Sequence, residues 1–120
     1  VQIYGYPGER VDFVSKSASA GAIFFGDTRE QVEEFFGPAH TATDNEVTYF
    51  SSSIILRFAD DKVREIVIRP TKSQRERVDV FVGKQRLSGA SDEDIDALLS
   101  DAPSNLSITK DEELTEVIFR

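Results

Sequence analysis

Apolar residues along this chain come mostly in short alternating or continuous runs cut by polar turns, and only two stretches carry helical spacing. Residues 1–14 alternate loosely around Pro7-Gly8, the pattern of a short hairpin or edge ribbon. Residues 15–21 are small and polar and read as a loop; 22–25 are apolar and extended. Thr28 is followed three positions later by Gln31, the spacing of a capping box, in which each residue's side chain satisfies the other's backbone N–H. Val32, Phe35 and Phe36 then fall on one helical stripe, and Gly37-Pro38 stops it. This predicts a helix over 29–36.

Residues 46–50, 54–58 and 63–69 read as three antiparallel strands, joined by Ser51-Ser52-Ser53 and by a turn at Asp60-Asp61. Pairing across the serine turn is expected to gather Phe50, Ile54, Leu56 and Phe58 on a core face. Val47, Tyr49, Ile55, Arg57 and Val67 are then expected on the opposite, mixed face. For the second turn, the register that sets Arg57 opposite Glu65 is favoured, because it makes an opposite-charge cross-strand pair. Ile66 and Ile68 join the core face in that register, with Arg64 at its rim.

Pro70 ends this segment, and 71–77 form a basic loop. Residues 78–82 read as a strand with 84–87 returning from it. Ser91 starts a second helix with Ile95, Leu98 and Leu99 as its stripe, and 106–109 with 114–119 form a last hairpin. The expected architecture over 1–120 is a single α+β domain, an antiparallel sheet with two short helices packed on one face. Residues 26–36 can be laid over 89–99, and each helix precedes a hairpin, so 22–69 and 78–120 are candidates for tandem repeats.

Composition narrows the function classes. At 120 residues with no Cys, the chain can build a core but has no disulfides, zinc ribbon or thiol chemistry. No apolar stretch approaches the roughly 18 residues of a membrane span, so the reading is an acidic, soluble domain. The first residue is Val1 rather than Met, which leaves cytoplasmic and exported-after-processing locations open. A net charge of −8 argues against nucleic acid as a partner. The charge is uneven. Residues 69–86 hold six basic side chains against Glu76 and Asp79, whereas 87–120 hold nine acids against Lys110 and Arg120. The acidic third could steer a basic partner.

Candidate chemistry is sparse. His40 is the only histidine and sits just past the first helix stop, so no relay for a serine nucleophile is available to it. Asp92, Asp94 and Asp96 lack the glycine and distal Glu of a calcium loop, and acids in a first helical turn are accounted for by the helix dipole. No phosphate loop or dinucleotide fingerprint occurs. No catalytic residue, metal site or cofactor is expected.

The segment Gly26-x-Thr28-Arg29-x-x-Val32-x-x-x-Phe36-Gly37-x-Ala39 resembles the G-x-T-R-x-x-V-x-x-x-L-G-x-P signature of SmpA/OmlA-type lipoprotein domains, a superfamily that includes the β-lactamase inhibitor protein. The likeness covers residues 26–68. It departs at Pro38, one place early, and the sequence has no lipid-attachment Cys. The resemblance implies a helix followed by an antiparallel sheet and a habit of binding other proteins. The expected function is a non-catalytic protein-interaction domain of inhibitor, immunity or assembly-factor type. Its partner would be another protein, one that could be basic, and its contact face Val47, Tyr49, Ile55, Arg57 and Val67. The alternative is a small-ligand-binding domain or unusual small enzyme with a groove between sheet and helices.

Overall fold

The computed structural model describes residues 1–17, 19–73 and 77–120. Part of the expected basic loop, 74–76, therefore lies outside the described residues. The N-terminal alternation becomes β1 (Gln2–Tyr6) and β2 (Arg10–Val14), turned at Pro7-Gly8, and the extended stretch becomes β3 (Ala20–Phe24). The first helix, α1 (Arg29–Phe36), starts on the predicted capping box, with the Thr28 hydroxyl accepting from the Gln31 N–H and the Gln31 carboxamide accepting from the Thr28 N–H. A two-residue strand, β4 (Thr41–Ala42), precedes β5 (Glu46–Tyr49), β6 (Ile54–Ala59) and β7 (Lys62–Ile68). A 3-10 turn at Pro70–Lys72 then leads toward β8 (Asp79–Val82) and β9 (Gln85–Arg86). The chain ends in α2 (Asp92–Asp101), capped by the Ser91 hydroxyl, and in β10 (Leu106–Lys110) and β11 (Leu114–Phe119).

The class is α+β and the pairing mostly antiparallel, but the strands divide between two sheets where one was expected. One sheet runs β3-β2-β1-β8-β9 and the other β10-β11-β7-β6-β5-β4. The pair β1–β8 is parallel, Gln2 opposite Asp79, and joins chain segments far apart in sequence. The inward faces of both sheets meet in one core containing Ile3, Val11, Ile23, Leu56, Ile66, Ile68 and Phe119. A side chain on residue 5 of β1 could not coexist with this packing. A Cβ there would lie 2.0 Å from the Phe119 ring.

Helix α1 buries Val32, and its half-buried Phe36 stacks obliquely on Tyr49 with ring centroids 4.7 Å apart. Arg29 ties the helix to the second sheet by donating to the carbonyls of Thr43 and Asp44 and lying over the Phe58 ring. In α2 the predicted stripe holds: Ile95 is buried, and Leu98 and Leu99 pack against the core. Each half of the chain thus runs from a strand of the first sheet through a helix to a hairpin in the second, with β5–β6 extended by β4 and β7 in the first half.

The register of β6 on β7 sets Arg57 opposite Glu65 as predicted, with a bulge at the exposed Arg64. Asp60 and Asp61 both adopt positive φ (53° and 60°), the two-residue hairpin turn whose twist matches the strands. Across the serine turn the prediction misses by one residue. Val47 faces Leu56 and Tyr49 faces Ile54, so Val47 and Tyr49 belong to the core face. The displaced residue is Phe50, which leaves the strand altogether. A one-residue slip transfers every side chain of a strand to the other face.

A phenylalanine cleft at the open end of the two sheets

The expected contact face does not form as a surface. Val47 and Tyr49 lie in the core, and Ile55 and Val67 are buried in the cross-strand row Thr48–Ile55–Val67–Ile118. Of the five predicted contact residues only Arg57 reaches solvent, and it is committed to its neighbours. Its guanidinium bonds Glu46 and Glu65, both at 3.2 Å, and Arg120 bonds the other oxygen of Glu65 at 2.6 Å. Burial alone would lower the Arg57 pKa, but the hydrogen bonds it donates to Glu65 and Glu46 outweigh it and raise it. This face carries a ladder of ion pairs that runs from β5 across β6 and β7 to Arg120, just past the end of β11.

The basic and acidic segments are also partly spent within the fold. Arg69 pairs with Glu116 at 3.1 Å and Arg86 with Asp79 at 2.9 Å. His40 is exposed beside β4, and its backbone N–H donates to the Thr48 carbonyl. Among the described residues no three His, Cys, Asp or Glu side chains gather where they could hold a metal ion.

The structure instead opens a cleft of about 550 Å³ where the two sheets and α1 meet. Phe13 of β2, Phe35 and Phe36 of α1, and Phe50 and Ile54 of the β5–β6 turn and strand supply its apolar wall. The four rings form a contiguous set: Phe13 meets Phe36 edge-on at 5.0 Å, Phe36 meets Phe35 at 4.7 Å, and Phe36 meets Phe50 at 6.1 Å. Ser15, Ser19, Ser51, Ser53 and Ser73 supply its polar atoms, and among the described residues none of the lining side chains carries a charge. Several of these hydroxyls are engaged within the protein: Ser53 donates to the Phe50 carbonyl, Ser15 bonds Ser17, and Ser17 in turn bonds Ser19.

Two local devices create the cleft. Gly21 in β3 has no side chain, and the Phe35 ring occupies that space, so a Cβ there would lie 2.1 Å from it. Phe35 shares its helical stripe with the buried Val32, but it stands 40% exposed on the cleft wall. The second device is the turn from residue 50 to 53. Phe50, Ser51 and Ser52 all hold positive φ (53°, 57° and 66°), a region that costs residues with a side chain about 1–2 kcal/mol each. The turn is fastened by Ser53, fully buried, whose hydroxyl and N–H both donate to the Phe50 carbonyl, while Arg69 N–H donates to the Ser53 carbonyl. Phe50 is left 59% exposed, the most exposed large apolar side chain of the described residues. A glycine inside a strand pattern is the sequence signal that could have exposed the first device. Nothing in Phe50-Ser51-Ser52 announces the second.

The chain matches no family model, and no match is found for it among the curated proteins or the solved structures.

Proposed function

We propose that this domain is a non-catalytic binding module for another protein, and that it makes contact through the phenylalanine cleft. The observation that carries this reading is Phe50. A left-handed, three-residue turn spends conformational energy to hold an aromatic ring in water at the mouth of an apolar cavity. Strain of this kind persists where surrounding structure enforces it, and it concentrates at binding and switch regions. Phe35, also exposed, stands on the same wall. The resemblance of residues 26–68 to protein-binding domains points the same way. The contact face moves from the one read off the sequence to the opposite side of the second sheet.

The volume of the cleft favours a second reading, a small apolar ligand, since ligand pockets commonly span about 300–1,000 Å³. The two separate by experiment. A photo-cross-linking amino acid at position 50 should capture a defined protein in the native cell, whereas the same group at exposed Glu112 should not. Equal capture at both positions would defeat the proposal. A small molecule released from freshly purified protein in native mass spectrometry, without protein capture at position 50, would establish the second reading.

A further inference from the structure

The first sheet ends in β3, and among the described residues no strand pairs with its outer edge. At the two ends of the β2–β3 ladder, the Phe25 N–H donates to the Glu9 carbonyl and the Ser15 N–H to the Ser19 carbonyl. Residues that exchange bonds alternate in an antiparallel ladder. Ser19, Gly21, Ile23 and Phe25 therefore bond across to β2, and Ala20, Ala22 and Phe24 aim their N–H and C=O groups outward. Phe24 is closed off by Asp27, whose carboxylate accepts from the Phe24 N–H and whose N–H donates to the Phe24 carbonyl. Ala20 and Ala22 have no hydrogen-bond partner for these groups among the described residues. The strand also lacks the charge, proline or bulge by which edge strands are usually protected.

This edge adjoins the cleft. Ser19 and Ala20 line it, and the Phe35 ring lies directly over Gly21. We infer that β3 is a docking strand: an extended segment of a partner protein adds to the sheet at Ala20 and Ala22 and lays alternate apolar side chains into the phenylalanine cleft. Backbone bonds supply affinity in such strand addition, and the pocket for every second side chain supplies specificity. Helix α1, whose Phe35 and Phe36 line the cleft, carries exposed Glu30, Glu33 and Glu34, of which Glu33 lies 3.8 Å from Arg29, and the chain has a net charge of −8, so the segment that fits has basic residues flanking its apolar ones. A second copy of this chain is disfavoured as the occupant. Two chains of −8 repel, and among the described residues the Asp27 turn leaves only Ala20 and Ala22 open to a two-fold pairing.

This inference rests on the cleft being the contact site, and the test separates the two. The probe is a random dodecapeptide library selected against the folded domain. Enriched peptides should alternate apolar residues with basic flanks, and Phe50→Ser should weaken their binding. Methylating every second backbone nitrogen should weaken binding about tenfold in one register and far less in the other, since only alternate amides face the sheet. Amide exchange at Ala20 and Ala22, fast in the free protein, should slow on binding. Peptides that need Phe50 but bind alike in both methylated registers, with Ala20 and Ala22 unprotected, would overturn strand addition and leave the cleft standing. Peptides indifferent to Phe50→Ser would defeat the cleft itself. No enriched peptide, or protection of Ala22 by dimerisation alone, would overturn the docking strand.

Discussion

The Phe119 ring lies in the space that a side chain on residue 5 would need, so the last strand of one sheet packs directly on the backbone of the first strand of the other. Gly5 pairs with both Val11 and Val82 in the middle of its sheet, and Phe119 is fully buried. Gly5→Ala should therefore cost about 1–3 kcal/mol or more, as overpacking of a dense core does. Phe119→Leu in the same chain should recover part of that loss. Chemical denaturation of the two single variants and the double variant checks this, and strictly additive effects would show that the two sites do not touch.

Phe50, Ser51 and Ser52 store conformational energy that the fold itself does not require of their side chains. Ser52→Gly should raise stability by about 1 kcal/mol by removing one left-handed penalty. Phe50→Ala should leave stability within about 0.5 kcal/mol, as an exposed residue does. A loss of several kcal/mol in Phe50→Ala would mean that the ring is a core anchor.

The elements were legible wherever local chemistry specifies them. Thr28 and Gln31 start α1, Ser91 starts α2, and Arg57 with Glu65 sets a register. The sheet partition was not legible, because the parallel pairing of Gln2 with Asp79 depends on no local pattern. The face of Val47 and Tyr49 was lost for another reason. It depends on the number of residues in the turn after Tyr49, and no glycine marks the left-handed positions there. The cleft follows from that same turn and from Gly21, so it was hidden with it.

The ion-pair ladder predicts a pH dependence. Burial would raise the Glu65 pKa, but hydrogen bonds from Arg120 and Arg57 outweigh it and hold the carboxyl below its ordinary value of 4.5. A pKa lower in the folded state contributes stability that is full above that ordinary value and is lost as pH falls through the depressed one. Glu65→Gln should flatten the acid side of the stability profile and lower its neutral plateau. An unchanged slope below pH 4.5 in thermal unfolding would show that the ladder adds nothing.

The helix start gives a local check. Thr28→Ala removes the acceptor for the Gln31 N–H and should cost about 0.5–2 kcal/mol. Thr28→Ser keeps the hydroxyl and should recover most of it in the same unfolding assay. Equal losses in both variants would assign the effect to the threonine methyl group, which both variants lack, and not to the hydroxyl cap.

The cleft as an open apolar binding site is tested most directly by titrating the folded domain with Nile red, a neutral dye that emits strongly in apolar surroundings. Saturable, blue-shifted emission is expected from the native protein. It should be largely lost in Phe50→Ser at an unchanged unfolding midpoint, because that ring stands at the mouth of the cavity. No saturable emission, or equal emission from Phe50→Ser, would contradict the account.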